Sequence, residues 1–371
     1  MLVAHFTCGT GRVNLPELSE LQRIVADGGA HLQQRVVCEV SNRAAPDTAR
    51  LPVLAITLGN PSLDVPAVGF FGGVHGLERI GAEVVIAHLA SLVTRLGWDS
   101  SLHRQLESLR LVFMPIVNPG GMVRATRANP NGVDLMRNAP VQASEPVPFG
   151  VGGQRRSARL PWYRGAAGAP MEAENLAVCR VVEEELLTRE FSMVIDCHSG
   201  FGTRDRVWFP YAHTVTPIPH LAEVFAFSQI LDQTHPQHRY VVEPQSSQYL
   251  AHGDLWDHLY LRSLMASATP PKRTFLPLTL EMGSWLWVKK NPRQLFSRGG
   301  LFNPLIEHRR QRVLRRHVAW LDFVMRAALS HRRWAPQGAA RVEAHAHALS
   351  RWYGGGSMPG AQARGSSQDA R

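Results

Sequence analysis

Cysteine is scarce. Cys8, Cys38, Cys179 and Cys197 are the only four in 371 residues, and no two form a Cys-x-x-Cys pair. This argues for free thiols in a reducing compartment rather than a disulfide scaffold. No apolar run is long enough to span a bilayer. The opening segment, Met1-Leu2-Val3-Ala4-His5-Phe6-Thr7-Cys8, has neither the basic nor the apolar region of a secretory signal. The expectation is a cytoplasmic chain with no membrane partner. The sequence also has no internal repeat.

Charge is not balanced: 40 Lys and Arg face 30 Asp and Glu, for a net +10. A nucleic-acid or polymer binder is the reading this excess invites. The pattern argues against it. Arginines cluster at Arg155, Arg156 and Arg159, at Arg309, Arg310, Arg312, Arg315 and Arg316, and at Arg332 and Arg333, without interleaved aromatics. Arg309 to Arg326 reads as a helix with Val313, Val318, Leu321, Phe323 and Val324 turned inward and its arginines solvated.

What the chain does have is a series of apolar runs that end in metal-ligating or charged residues. The first is Phe70-Phe71-Gly72-Gly73-Val74-His75-Gly76-Leu77-Glu78. Ala67 to Phe71 reads as a buried strand, the two glycines permit a sharp turn, and Val84 to Leu96 continues as a helix buried over much of its surface. His75 and Glu78 then sit outside a strand end, the usual place for a site in an open α/β sheet. Imidazole and carboxylate are both zinc ligands, and a catalytic zinc takes three protein ligands and leaves one position open. Spacing alone is weak, because with 17 histidines the chain repeats it at His220 and Glu223. There it opens an amphipathic helix after Pro217 and Pro219.

A second run, Phe191 to Ser199, ends in His198, the best third ligand. Alternation along a strand places Asp196 and His198 on one face and Cys197 on the other, in the core. A third run, Thr274 to Gly283, ends in Glu281, the candidate base for the attacking water; its competing reading is an edge glutamate paired with Lys289 or Lys290. Between these runs lies a basic, turn-rich stretch with Asn118, Pro119, Gly120 and Gly121, then Arg124, Arg127 and the segment Asn129 to Asn138. Guanidinium groups on such a loop can clamp a carboxylate or stabilise an oxyanion.

Taken together these residues resemble the M14 zinc carboxypeptidases. That family's pattern is His-x-x-Glu, Asn-Pro-Asp-Gly, Gly-Val-Asp-x-Asn-Arg-Asn, a strand-end His, Tyr-x-x-x-Gly and a strand-end Glu. All appear here in order from about Ala67 to Gly283. The resemblance implies that His75, Glu78 and His198 bind one Zn2+ and that Glu281 is general base and acid. It further implies that Arg127 polarises the scissile carbonyl, with Arg124 as the fallback, and that Arg137 holds the substrate carboxylate. Asp134 takes the place of the carboxylate that orients His75. Tyr249 matches the tyrosine that closes over substrate, with Asp257 and Tyr260 following it. Trp256 falls where the family selects the side chain after the cut, and its indole would favour a small group or a flat stacking partner.

Two motifs depart from the pattern. Gly120 replaces the aspartate of Asn-Pro-Asp-Gly, and Met136 replaces the first asparagine of Asn-Arg-Asn. The second change removes a polar contact worth roughly 1.5 to 3 kcal/mol when the acceptor is charged. The implied activity is hydrolysis of a C-terminal amide bond in a peptide; deacylation of small N-acyl amino acids is the alternative that Met136 favours.

Strand-like runs at Val36 to Val40, Val53 to Leu58, Ala67 to Phe71, Leu111 to Ile116, Met193 to Cys197 and Phe275 to Glu281 alternate with helical segments. This predicts an α/β domain with a largely parallel sheet, which the resemblance extends to a three-layer α/β/α arrangement. The resemblance implies a mixed, twisted sheet of about eight strands between helix layers. One catalytic domain is expected over residues 1–335, with Asn138 to Pro170 a long loop walling the site. The remainder, 336–371, is Ala, Gly, Ser and Gln rich and is expected to be disordered.

Overall fold

The computed structural model describes residues 15–41, 50–266 and 273–354. Eight strands form one mixed sheet in the order β1-β2-β4-β3-β5-β8-β6-β7. They are β1 (Leu32–Ser41), β2 (Arg50–Gly59), β3 (Ala67–Gly72), β4 (Arg110–Met114), β5 (Phe191–Ser199), β6 (Arg206–Phe209), β7 (Val241–Pro244) and β8 (Thr274–Met282). The centre is parallel: β3 pairs with β4 and β5, and β5 with β8. Antiparallel pairings link β1 to β2, β2 to β4 and β6 to β8. Strands buried on both faces need apolar residues at successive positions. This is why β3, β4 and β5 are buried throughout.

The helices are α1 (Pro16–Gly28), α2 (Arg79–Leu96), α3 (Ser100–Leu106), α4 (Pro119–Arg124), α5 (Ala173–Glu185), α6 (Leu221–Thr234), α7 (Leu255–Ala266), α8 (Trp285–Lys290), α9 (Glu307–Leu329), α10 (His331–Trp334) and α11 (Gly338–Trp352). Alternation across β3 shows how they form two layers. Phe70 packs edge-on against His88 of α2 on one face, and Phe71 edge-on against Trp256 of α7 on the other. α9 packs on α2 and against β3 and β5. The three-layer α/β/α expectation therefore holds, and each of the six expected strands is present. The four-residue β6 and β7 were not anticipated. Among the described residues no single helix is long and apolar enough to cross a membrane.

α9 follows its expected pattern. Val313, Leu321, Phe323 and Val324 are buried, while Val318 is only half-buried. Several of its arginines are ion-paired rather than simply solvated: Arg310 meets Glu83 at 2.6 Å, and Arg316 bonds Asp205. His220 is buried, with its Nδ1 2.8 Å from the Tyr260 hydroxyl, and Glu223 pairs with Arg341 at 2.6 Å. That second His-x-x-Glu is structural.

The C-terminal segment needs a correction. Disorder was expected from residue 336, yet Gly338–Trp352 is helical. It packs on α6 through Trp352, whose ring contacts Phe209 at 4.8 Å and Phe225 at 5.9 Å, and whose indole N–H donates to the Val242 carbonyl at 2.9 Å. Composition hid this helix, because alanine is the best helix former and the docking contacts, Trp352, buried Ala348 and the Arg341–Glu223 pair, are few and scattered. The Gly354 to Arg371 part of that expectation lies almost wholly outside the described residues. Trp352→Ala should cost about 2 to 4 kcal/mol, near the lower end for a large aromatic. Thermal unfolding checks this, and an unchanged melting temperature would separate α11 from the packed body.

Candidate active site

Three parallel strand ends build the site. β3 stops at Gly72, and Gly73 turns the chain with φ +65°. The loop then carries His75 and delivers Glu78 at the start of α2. Close packing fixes that loop: a Cβ on Gly76 would lie 2.0 Å from the Gly121 carbonyl carbon. Buried Asn118 ties it down from the other side. Its Nδ2 donates to the Val74 carbonyl at 3.1 Å, and its Oδ1 accepts from Gly121 N–H at 2.7 Å. The family's aspartate is absent at Gly120 for a visible reason, since a Cβ there would meet Pro130 Cγ at 2.3 Å.

His198 comes from β5 and Glu281 from β8, and the two stand directly opposite each other in register. His75, Glu78 and His198 converge, with their ligand atoms all within 4.8 Å of one another and all three side chains buried. The Nδ1 atoms of the two imidazoles face each other at 3.2 Å. Glu78 Oε1 lies 2.9 Å from the Nδ1 of His75, and Glu78 Oε2 lies 3.2 Å from that of His198. Both Nε2 atoms turn away. That of His75 is 3.0 Å from Asp134, and that of His198 is 2.7 Å from Asp196. With each proton on Nε2, donated to a carboxylate, both Nδ1 lone pairs point inward beside the Glu78 carboxylate. Such a centre requires a cation, and two imidazoles with one carboxylate are the donor set of a catalytic zinc. The residues present therefore fit a single zinc ion.

The charges of these groups depend on one another. Burial opposes the charge on Glu78, but His75 and His198 outweigh it and hold the carboxyl far below its usual range. Burial also disfavours a charged His198; Asp196 and Glu78 overcome that and raise it well above an ordinary imidazole. Glu281 moves the other way. Burial and the neighbouring Glu78 push it up to about 8. Its Oε1 accepts from Phe201 N–H at 3.0 Å. Two nearby carboxyl groups driven in opposite directions mark one as ligand and the other as an acid–base group.

The arginines divide clearly. Arg127 lines the cavity, donating through Nε to Asp134 at 2.7 Å and through Nη1 to Glu78 at 3.2 Å. Burial disfavours its charge, and Asp134 and Glu78 restore it. Arg124 does not line the cavity; its guanidinium bonds the Pro130 carbonyl at 3.3 Å. Arg137 lines it and is held by the carbonyls of Val151 (3.1 Å) and Met136 (3.0 Å), with the Tyr249 hydroxyl 3.4 Å away. Tyr249 also lines the cavity, its ring edge-on to Trp208. Met136, otherwise part of the core, lines the same space. The expected wall is there too, since Val151, Pro161 and Trp162 of the 138–170 loop enclose a cavity of about 460 Å³.

Trp256 is the misplaced residue. It is 3% exposed and absent from the cavity lining. Its indole N–H donates to Asp196 at 2.8 Å, so it braces the carboxylate that braces His198. The first turn of α7 swings it beneath β5, and Asp254, two residues earlier, reaches the cavity instead. Asp257 and Tyr260 are structural as well: Asp257 accepts from the N–H groups of Ala212 and His213, and Tyr260 bonds His220. Asp196 itself was legible only as sharing a face with His198. Trp162, Trp285 and Phe302 at the rim had no sequence signal.

Fold and site together set the donor cluster of one zinc centre beside a buried glutamate and two arginines. The chain belongs to the zinc carboxypeptidase family, peptidase M14, whose family model matches residues 47–280. It is 34% identical over 77 residues to carboxypeptidase SOL1 of Arabidopsis thaliana, covering 21% of this chain and 16% of that protein. It is 30% identical over 86 residues to carboxypeptidase D of Anas platyrhynchos, covering 21% and 6% respectively. Among solved structures it resembles thrombin-activatable fibrinolysis inhibitor, with TM-score 0.60 and 17% identity over 85% of this chain and 72% of that one. The bovine form of that protein, in complex with tick carboxypeptidase inhibitor, gives TM-score 0.52 and 18% identity over 84% and 98%.

Trp256→Phe should keep the contact with Phe71 and lose the bond to Asp196. Zinc affinity should fall roughly 10- to 100-fold, as for other groups that support a metal ligand from behind. Competition with a metal indicator measures it, and unchanged affinity would remove Trp256 from the support of His198.

Proposed function

We propose that the chain is a carboxypeptidase, removing the last residue of a peptide by hydrolysis of its C-terminal amide bond. The observation that carries this is the meeting of five groups on one cavity wall: the His75, Glu78, His198 cluster, Glu281, Arg127, Arg137 and Tyr249 all border the same space. Zinc, when held by the three ligands, supplies a Lewis acid and acidifies water. Glu281, buried at the cavity wall beside the ligand cluster, takes the proton from the attacking water and returns it to the leaving amine. Arg127, anchored by Asp134, aims its remaining donors at the developing oxyanion. Arg137 and Tyr249, already 3.4 Å apart, receive the terminal carboxylate and so set the reach of the cut at one residue.

Met136 supports the second reading, deacylation of small N-acyl amino acids. A methionine beside Arg137 offers the carboxylate no hydrogen bond and favours an apolar group. Both readings share the chemistry and differ in the acyl side. Incubating zinc-loaded protein with peptides, their C-terminal amides and N-acyl amino acids separates them. Loss of single C-terminal residues from free acids supports the first; turnover of N-acyl amino acids alone supports the second.

The absence of a nucleic-acid partner is part of this proposal. It rests on the local use of the arginines: Arg155, for example, donates to the carbonyls of Gly165 (2.7 Å) and Ala166 (2.9 Å). Cytoplasmic residence is likewise proposed, on the free thiols of Cys38, Cys179 and Cys197. Glu281→Gln should bind zinc normally and lose about 10²- to 10⁴-fold in kcat, the usual worth of a general base. Near-normal turnover would assign the proton transfer to another group.

A further inference from the structure

β8 ends at Met282, and the chain then makes a projection that starts and finishes on the cavity rim. Trp285 lines the cavity at its start, and Leu301 and Phe302 line it at its end. Polar contacts fix both ends. The Trp285 indole N–H donates to the Gly200 carbonyl at 2.8 Å, and the Ser199 hydroxyl donates to the Phe302 carbonyl at 2.8 Å. Asn303 donates to the Leu77 carbonyl at 2.8 Å and accepts from Ile80 N–H at 3.0 Å. Between these anchors α8 packs on a 3-10 helix, Pro292–Phe296. Gln294 is buried there, and a Cβ on Gly300 would lie 1.8 Å from the Gln294 carbonyl oxygen. The projection is thus a packed part of the molecule.

Its apex is apolar and basic at once. Phe296 is 92% exposed and Leu295 55%. Between Glu281 and Glu307 the chain carries Lys289, Lys290, Arg293 and Arg298 and no acidic residue. All four cations are exposed. Arg298 donates to the Arg124 carbonyl, and none of the four meets a carboxylate among the described residues, whereas Arg310 on α9 pairs with Glu83. Single exposed apolar side chains are ordinary. Two in succession, set among unpaired cations on a projection from a cavity rim, make a surface matched by a ligand that brings both apolar and negative groups.

We propose that residues 285–305 dock an acidic stretch, with apolar side chains, of the polypeptide whose C-terminal residue occupies the cavity. The proposal deepens the carboxypeptidase reading and rests on it for the placement of that end. With the terminal carboxylate on Arg137 and the bond to be cut beside Glu281, the rest of the polypeptide leaves over the rim that Trp285, Leu301 and Phe302 help to form. Carboxylates ahead of the cut then meet Lys289, Lys290 and Arg293, and an apolar side chain covers Leu295 and Phe296. Continuity with the cavity favours this occupant over an anionic membrane surface. The substrates selected are proteins or long peptides rather than dipeptides.

The test uses a pair of long peptides with identical C-terminal ends, one carrying Asp, Glu, Leu and Phe upstream and the other Ser and Gln, together with an N-acyl dipeptide of the same end. Zinc-loaded wild type should favour the acidic peptide by at least about tenfold in kcat/KM at low salt, with the margin narrowing as salt is added. The charge variant, Lys289→Gln with Lys290→Gln and Arg293→Gln, should erase that margin through KM. The apolar variant, Leu295→Ser with Phe296→Ser, should reduce it, and both should keep the wild-type rate on the dipeptide. Equal rates on the two peptides in wild type, or an equal loss on peptides and dipeptide in the charge variant, would overturn the assignment. Binding separates this claim from the reading of the cut. By fluorescence anisotropy, zinc-loaded Glu281→Gln should bind the acidic peptide more tightly than the neutral one, and the charge variant in that background should remove the difference. If wild type cleaves neither peptide, the carboxypeptidase reading fails while this comparison still judges the surface; equal affinities would overturn it. Sedimentation with phosphatidylserine vesicles covers the competing occupant: vesicle binding that both variants lose, without any peptide preference, would assign the surface to a membrane and overturn the polypeptide proposal.

Discussion

Two buried carboxylates decide which way the imidazoles face. Asp134 takes the Nε2 edge of His75, and Asp196 takes that of His198, so both Nδ1 atoms are left pointing at Glu78. Each carboxylate is itself held by a second partner. Asp134 also receives Arg127 Nε, and Asp196 also receives the Trp256 indole. The orientation of His75 and the position of Arg127 are therefore both set by one side chain, Asp134. Asp134 is satisfied at both oxygens, whereas Asp196 takes His198 and Trp256 on the same oxygen and leaves Oδ1 without a partner.

The sheet supplies the geometry those carboxylates refine. Parallel pairing of β3, β5 and β8 brings three chain segments distant in sequence to one edge, and the register sets His198 beside Glu281. Each strand ends in the residue type its position needs: a glycine turn into His75, a histidine, a glutamate. From the remaining walls come Arg137 and Tyr249, and the loop over 138–170 closes the side.

Much of this was legible in the sequence because buried parallel strands are written as uninterrupted apolar runs, and a charged or metal-ligating residue at the end of such a run stands out. His75, Glu78, His198 and Glu281 all have that signature, and the structure brings them together. The short β6 and β7 carry too few residues to show a period, and were missed. α11 was hidden by an Ala-rich composition that reads as low complexity. Trp256 failed for a different reason: the motif fixed its sequence position, whereas the helical phase of α7 decided which residue met the cavity, and it chose Asp254. Helical phase at a helix start depends on the cap, here Asp254 itself, and the spacing of residues alone does not contain it.

The central claim is that His75, Glu78 and His198 hold one zinc ion through two Nδ1 atoms and a carboxylate. X-ray absorption at the zinc edge of the stoichiometrically loaded protein tests it most directly. The account predicts a low-coordinate shell of nitrogen and oxygen only, at about 2.0 to 2.2 Å, with the outer scattering of two imidazoles. Sulfur in the shell, a single imidazole, or zinc bound at a fully hydrated surface position would contradict it.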